Sequence, residues 1–178
     1  MKRFTTLLLP LALALASTPA PAADFGPYAI VAVGRTDYDF DCYFFSSCSN
    51  ARANTGKLVG GYQFGVFALE GWVADWGRGA TPFGNHLRLQ SVGANGAWRM
   101  HFNASLDGVL RAGFAQVRQT RSDDGQASRL AGTFGLGLAL ALTPALALEL
   151  AWDLTSSEGN NSGTVVAQAV TLGLRLRF

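Results

Sequence analysis

Where the few charged side chains stand decides what chemistry this chain can support. Glu70, Arg99, Asp107, Arg111, Glu149, Asp153, Arg175 and Arg177 all fall within largely apolar stretches. A buried charge left without a partner costs on the order of 3–5 kcal/mol, so isolated charges of both signs in such surroundings must find one another. A network of ion pairs is therefore expected, with Arg111 bound to Glu149 or Glu70 at its centre. The two histidines, His86 and His101, offer little more. His86 with Ser91 or Asp75 is the nearest approach to a hydrolytic constellation, but Ser91 lies several residues further along, and a solvated histidine is expected. Cys42 and Cys48 are too few for a four-ligand zinc cluster and have no histidine beside them. No catalytic residue, cofactor or metal ligand is expected.

The elements that position these residues follow from composition and periodicity. The chain has 178 residues, 49% apolar and only 15% charged, with a formal net charge of +2. That balance suits one domain and excludes both a disordered polyelectrolyte and a strongly cationic nucleic-acid binder. Lys2 and Arg3, the apolar run Leu7 to Ala16 and Ala20-Pro21-Ala22 have the layout of an export signal over residues 1–22. Residues 23–178 are then the mature domain. Without Lys2 and Arg3, the 14 basic side chains become 12, equal to the 12 acidic ones. Export through an oxidising compartment makes a Cys42–Cys48 disulfide the expectation, contributing ~2–3 kcal/mol for so small a ring.

Alternation with period two dominates the mature segment. Val166, Gln168, Val170, Leu172, Leu174, Leu176 and Phe178 interleave with Val165, Ala167, Ala169, Thr171, Gly173, Arg175 and Arg177. One face of such a strand is bulky and apolar, and the other is small or charged. Leu146 to Thr155 and Thr133 to Leu142 repeat the pattern. Leu130 to Leu148 is also an uncharged run long enough for a membrane-crossing helix. A lipid-embedded helix, however, has no reason to place leucine at every second position, and the parity continues past Pro144.

Eight strand segments are expected near 27–36, 57–65, 66–76, 87–99, 104–118, 129–142, 145–155 and 164–178. The connections alternate between long polar intervals (37–56, 77–86, 119–128 and 156–163) and short ones. This arrangement predicts an all-β, up-and-down antiparallel transmembrane barrel with four long external loops and three short periplasmic turns. Hydrocarbon offers backbone groups no partner, so a membrane-crossing sheet must close on itself, with its bulky face toward lipid. The rival, a water-soluble barrel, would need an outer face of Ala, Gly and Thr. Bulky-face aromatics fall in two bands, as interface girdles require: Tyr28, Phe64, Phe67, Trp98 and Phe178 at the short-turn end, and Phe114, Phe134 and Trp152 at the other.

These features resemble the eight-stranded outer-membrane barrels of the outer membrane protein A and X type, over Asp24 to Phe178. Gly135-Leu-Gly-Leu-Ala-Leu-Ala-Leu-Thr-Pro-Ala-Leu-Ala-Leu-Glu-Leu-Ala-Trp152 is similar to that family's sixth and seventh strands. Gly60-Gly-Tyr-Gln-Phe-Gly65 with Phe67-Ala-Leu-Glu-Gly71 looks like its first periplasmic hairpin. Leu174-Arg-Leu-Arg-Phe178 resembles the terminal signal read by the barrel assembly machinery.

The resemblance implies residence in the outer membrane of a Gram-negative bacterium. It implies contact with membrane lipid and lipopolysaccharide, no nucleic-acid partner, and a monomer. A small barrel is filled by side chains, so the expected role is structural or surface-interacting (adhesion or envelope integrity), with the charges plugging the lumen. A narrow gated pore and a lipid A-modifying enzyme are the alternatives, because one fold hosts several functions. The first interval displays Tyr38, Phe40, Tyr43, Phe44 and Phe45 beside Asp37, Asp39 and Asp41, for partner contact or for packing over the barrel mouth.

Overall fold

Alternating small and bulky side chains leave each segment one face for a crowded interior and one for an apolar solvent. In the computed structural model, residues 25–40, 51–80, 86–121, 125–158 and 164–178 are described. They form β1 (Phe25–Phe40), β2 (Ala51–Phe64), β3 (Phe67–Ala80), β4 (His86–His101), β5 (Leu106–Arg121), β6 (Gly125–Ala141), β7 (Leu146–Glu158) and β8 (Thr164–Arg177). Each strand pairs antiparallel with the next, and β1 pairs with β8, closing the barrel. The run Leu130 to Leu148 is the middle and end of β6, a turn, and the start of β7, not a helix.

The short turns all lie at one end and are chemically specified. Gly65, with φ of +64°, and Val66 connect β2 to β3. Asn103 Oδ1 accepts hydrogen bonds from the backbone N–H groups of Ser105 and Leu106 at 2.9 Å, shaping the β4–β5 turn. Thr143 Oγ1 accepts from Leu146 N–H at 3.0 Å in the Thr-Pro turn. Phe178 N–H donates to Pro27 O at 3.1 Å where the C-terminus meets β1.

Strands of 13 to 17 residues exceed the roughly 9–11 that suffice to cross a bilayer. The excess lies at the end opposite the short turns. There Asp37, Arg52, Asn54, Arg78, Arg88 and Arg118, assigned to polar intervals or strand edges by composition, continue the ladder. Polarity marks where the apolar belt stops, not where pairing stops. Residues 1–24 and the intervals 41–50, 81–85, 122–124 and 159–163 lie outside the described residues. The expected export signal, Cys42, Cys48, Tyr43, Phe44 and Phe45 fall among them.

Facing follows parity around the wall. Val31, Val33, Leu58, Leu69, Val73, Val92, Leu136, Leu138, Leu150, Val170, Leu172 and Leu174 point outward and are exposed. A soluble barrel would bury them. The interior holds Ala68, Ala97, Ala115, Ala139, Ala147, Ala167 and Ala169 together with the charged residues.

Candidate functional site

The interior charges converge because β3, β5 and β7 present them toward the lumen at matched heights. Arg111 of β5 lies at the centre, 2% exposed, and bridges two carboxylates on opposite sides of the lumen. Its Nε donates to Glu70 Oε2 at 2.7 Å and its Nη2 to Glu149 Oε1 at 2.6 Å. A second contact, Nη2 to Glu70 Oε1 at 3.2 Å, makes the Glu70 pairing two-pronged. The planar guanidinium fork suits this arrangement, and a lysine point charge does not. Both pairings expected for Arg111 are made at once.

The network extends above and below this bridge. Lys57 Nζ of β2 reaches Asp153 Oδ1 of β7 at 2.8 Å, across the barrel. It also lies 5.4 Å from the centre of the Trp72 ring. On the short-turn side the Tyr28 hydroxyl donates to Glu70 Oε1 at 2.6 Å. Arg99 and Arg175 both face the Tyr28 ring, with guanidinium carbons 5.1 and 5.6 Å from its centre. Arg175 Nη1 is 4.0 Å from Glu149 Oε2. Tyr28, Glu70, Arg111 and Glu149 thus form a continuous hydrogen-bonded chain across the lumen, with Arg175 beside its Glu149 end.

Toward the end opposite the short turns the filling becomes neutral. Tyr38 OH donates to Trp76 O at 2.8 Å, Trp76 Nε1 donates to Ser91 Oγ at 2.7 Å, and Thr133 Oγ1 bonds Asn95 Oδ1 at 2.9 Å. Leu89 and Val117 are fully buried among these groups.

Several expectations need correction. Tyr28 is not an interface aromatic: it is 3% exposed, points inward, and belongs to the charge network. A side chain on Gly61 would meet the Tyr28 ring at 2.5 Å, so glycine on the paired strand makes the room that turns Tyr28 inward. Tyr38, expected on an exposed loop, is a buried residue of β1. Asp107 lies apart from the central network. It bonds His101 Nδ1 at 2.7 Å at the short-turn rim, where both line a mouth with Arg175 and Arg177. His101, the last residue of β4, is therefore a rim partner of Asp107. Lys57 was missed because it sits at the edge of the expected second strand, although it shares parity with Val59 and Gly61.

The remaining aromatics face outward as expected: Phe64, Phe67, Trp98, Phe114, Phe134 and Phe178 are exposed, and Trp152 is half-buried. Phe134 and Trp152 meet edge to face at 6.4 Å. At the short-turn end, Phe25 pairs with Phe64, Phe64 with Phe67, and Phe67 with Trp98, an aromatic band across four consecutive strands. Phe25 and Tyr62 of this band were not anticipated. Of the residues weighed for a hydrolytic constellation, Ser91 is buried inside the barrel while Asp75 faces outward and binds Arg88, and the His86 side chain lies outside the described residues.

Above the outward apolar belt stands an arc of arginines: Arg35, Arg52, Arg78, Arg88 and Arg118 on β1 to β5. Asp37 pairs with Arg52 at 2.9 Å and Asp75 with Arg88. Arg35, Arg78 and Arg118 have no acidic partner among the described residues. On β6 to β8 the outward positions near that height are Ser128, Leu130, Leu154, Gln168 and Val170, none of them charged.

Known proteins place this geometry. The outer membrane protein beta-barrel domain family matches residues 7–178. Neisserial surface protein A is similar with a TM-score of 0.66 at 16% identity, over 86% of this chain and 97% of that one. The N-terminal barrel of OprF from Pseudomonas aeruginosa gives 0.55 at 17%, over 86% and 99%. Ail, the attachment invasion locus protein of Yersinia pestis, gives 0.51 at 17%, over 86% and 99%. At these identities the likeness to solved structures is one of fold. No match was found among the curated proteins. The family match over nearly the whole length agrees with the closed eight-stranded wall and its outward leucines: the chain belongs to the outer membrane protein beta-barrel family.

Proposed function

We propose that this barrel is a non-enzymatic, monomeric component of a Gram-negative outer membrane, with an occluded lumen and a structural or surface-interaction role. The observation that carries this reading is the bridge Glu70–Arg111–Glu149, which crosses the lumen with all three side chains almost completely buried. Opening a path would require separating these charges at several kcal/mol each. Two similar barrels bear names that speak of the cell surface, Neisserial surface protein A and the Yersinia attachment invasion locus protein. The arginine arc supports contact with anionic headgroups, including lipopolysaccharide phosphates, because guanidinium forks match phosphate oxygens. Phe178, outward and 61% exposed at the end of β8, supports delivery by the barrel assembly machinery.

The test is conductance in planar bilayers. The purified chain should insert, with slower mobility after heating, and give no defined unitary steps. Regular steps in the wild type would overturn occlusion and favour the narrow-pore alternative.

A further inference from the structure

The interior carries more positive charge than it neutralises, and the excess sits at one end. Among the described residues, the buried cations are Lys57, Arg99, Arg111 and Arg175, and the buried anions are Glu70, Glu149 and Asp153. Lys57 and Arg111 engage all three carboxylates. Arg99 is fully buried, yet among the described residues none of its three guanidinium nitrogens has an acceptor in hydrogen-bonding geometry. Arg175, 1% exposed, likewise has no acceptor at Nε or Nη1, its nearest carboxylate oxygen being 4.0 Å away. Stacking against Tyr28 stabilises both cations.

Arg175 and Arg177 also line a vestibule of about 580 Å³, bounded by the turn residues Asn103 to Ser105 and Leu142 to Leu146. The carboxylate in that wall, Asp107, is bonded to His101. The vestibule therefore joins the short-turn side to a buried guanidinium with spare donors.

We propose that this periplasmic mouth binds a small tetrahedral or planar oxyanion, such as phosphate, sulfate or a carboxylate group. Arg175 is its main ligand, Arg177 stands at the entrance, and Arg99, against the same Tyr28 ring, supplies positive charge from nearby. The fork of donors matches two oxygens at once, which favours an oxyanion over chloride. The site lies below the Glu70–Arg111–Glu149 bridge, so it does not depend on whether that bridge conducts.

Arginine Nε–Hε correlation spectra of the nitrogen-15-labelled full chain in lipid nanodiscs test this, with inorganic phosphate titrated against chloride at constant ionic strength. The Arg175 and Arg99 signals, assigned by their absence in R175K and R99K, should shift saturably with phosphate or sulfate and not with chloride. R175Q should weaken the response of Arg99 at least tenfold. The wild-type titration decides alone if that variant does not fold. Signals that do not move, or that move together with that of outward-facing Arg118, would overturn the proposal.

Discussion

The middle of the lumen and its short-turn end use the same residue type in opposite ways. At the middle, Arg111 satisfies two glutamates, and its charge is more than balanced. At the end, Arg99 and Arg175 lean on one tyrosine ring with no acceptor for most of their donors. Burial is equally complete in both places, so exposure does not separate them. The difference is which opposing strands carry acids at that height. β3 and β7 place Glu70 and Glu149 opposite Arg111, whereas the residue paired with Arg99 is the apolar Val109, and the acid next along that strand face, Asp107, is bonded to His101. A buried arginine is thus a strut in one case and a site with spare donors in the other.

Breaking the strut should cost most. Arg111→Ala leaves Glu70 and Glu149 without the cation they share, and should destabilise by about 3–5 kcal/mol. Urea unfolding in micelles, followed by the heat-dependent mobility shift, reads this directly. Tyr28→Phe keeps the ring under both arginines but removes the hydroxyl from Glu70, and about 1.5–3 kcal/mol should be lost in the same assay. Arg99→Met should change stability by less than about 1 kcal/mol in oxyanion-free buffer, because removing an uncompensated buried charge offsets the lost stacking. A loss as large as that of Arg111→Ala would erase the distinction between the two regions. Outside the lumen, Arg52→Ala breaks only the exposed pair with Asp37 and should cost no more than about 0.2–1 kcal/mol, shrinking as salt rises.

The wall was legible wherever its two faces differ in size. β8 sets Leu172, Leu174 and Leu176 against Thr171, Gly173 and Arg175, and both its facing and its charges follow from parity. β1 is harder, because both of its faces are apolar. Tyr28, Ile30 and Ala32 alternate with Ala29, Val31 and Val33, and bulk alone assigns Tyr28 to lipid. What turns it inward lies on other strands: Gly61 beside it and the small row Ala68, Ala97, Ala139 and Ala147 around the lumen. Complementary volume across a barrel is a property of closure and register, which a single strand's pattern does not carry. The same holds for Trp72 and Trp76, bulky residues on the inward face of β3. The ion pairs were partly legible. Charge sign and parity name the partners of Arg111, but the stagger that links Lys57 to Asp153 appears only once the sheet has closed.

Everything rests on the outward facing of the bulky set, and single nitroxide labels along β8 test it most directly. Labels at 168 through 175 of the bilayer-embedded chain should show oxygen accessibility alternating with period two. Positions 170, 172 and 174 should be high, as residues in acyl chains are, and 169, 171 and 173 low. High accessibility at the odd positions with Leu172 and Leu174 protected, or no alternation at all, would contradict the account.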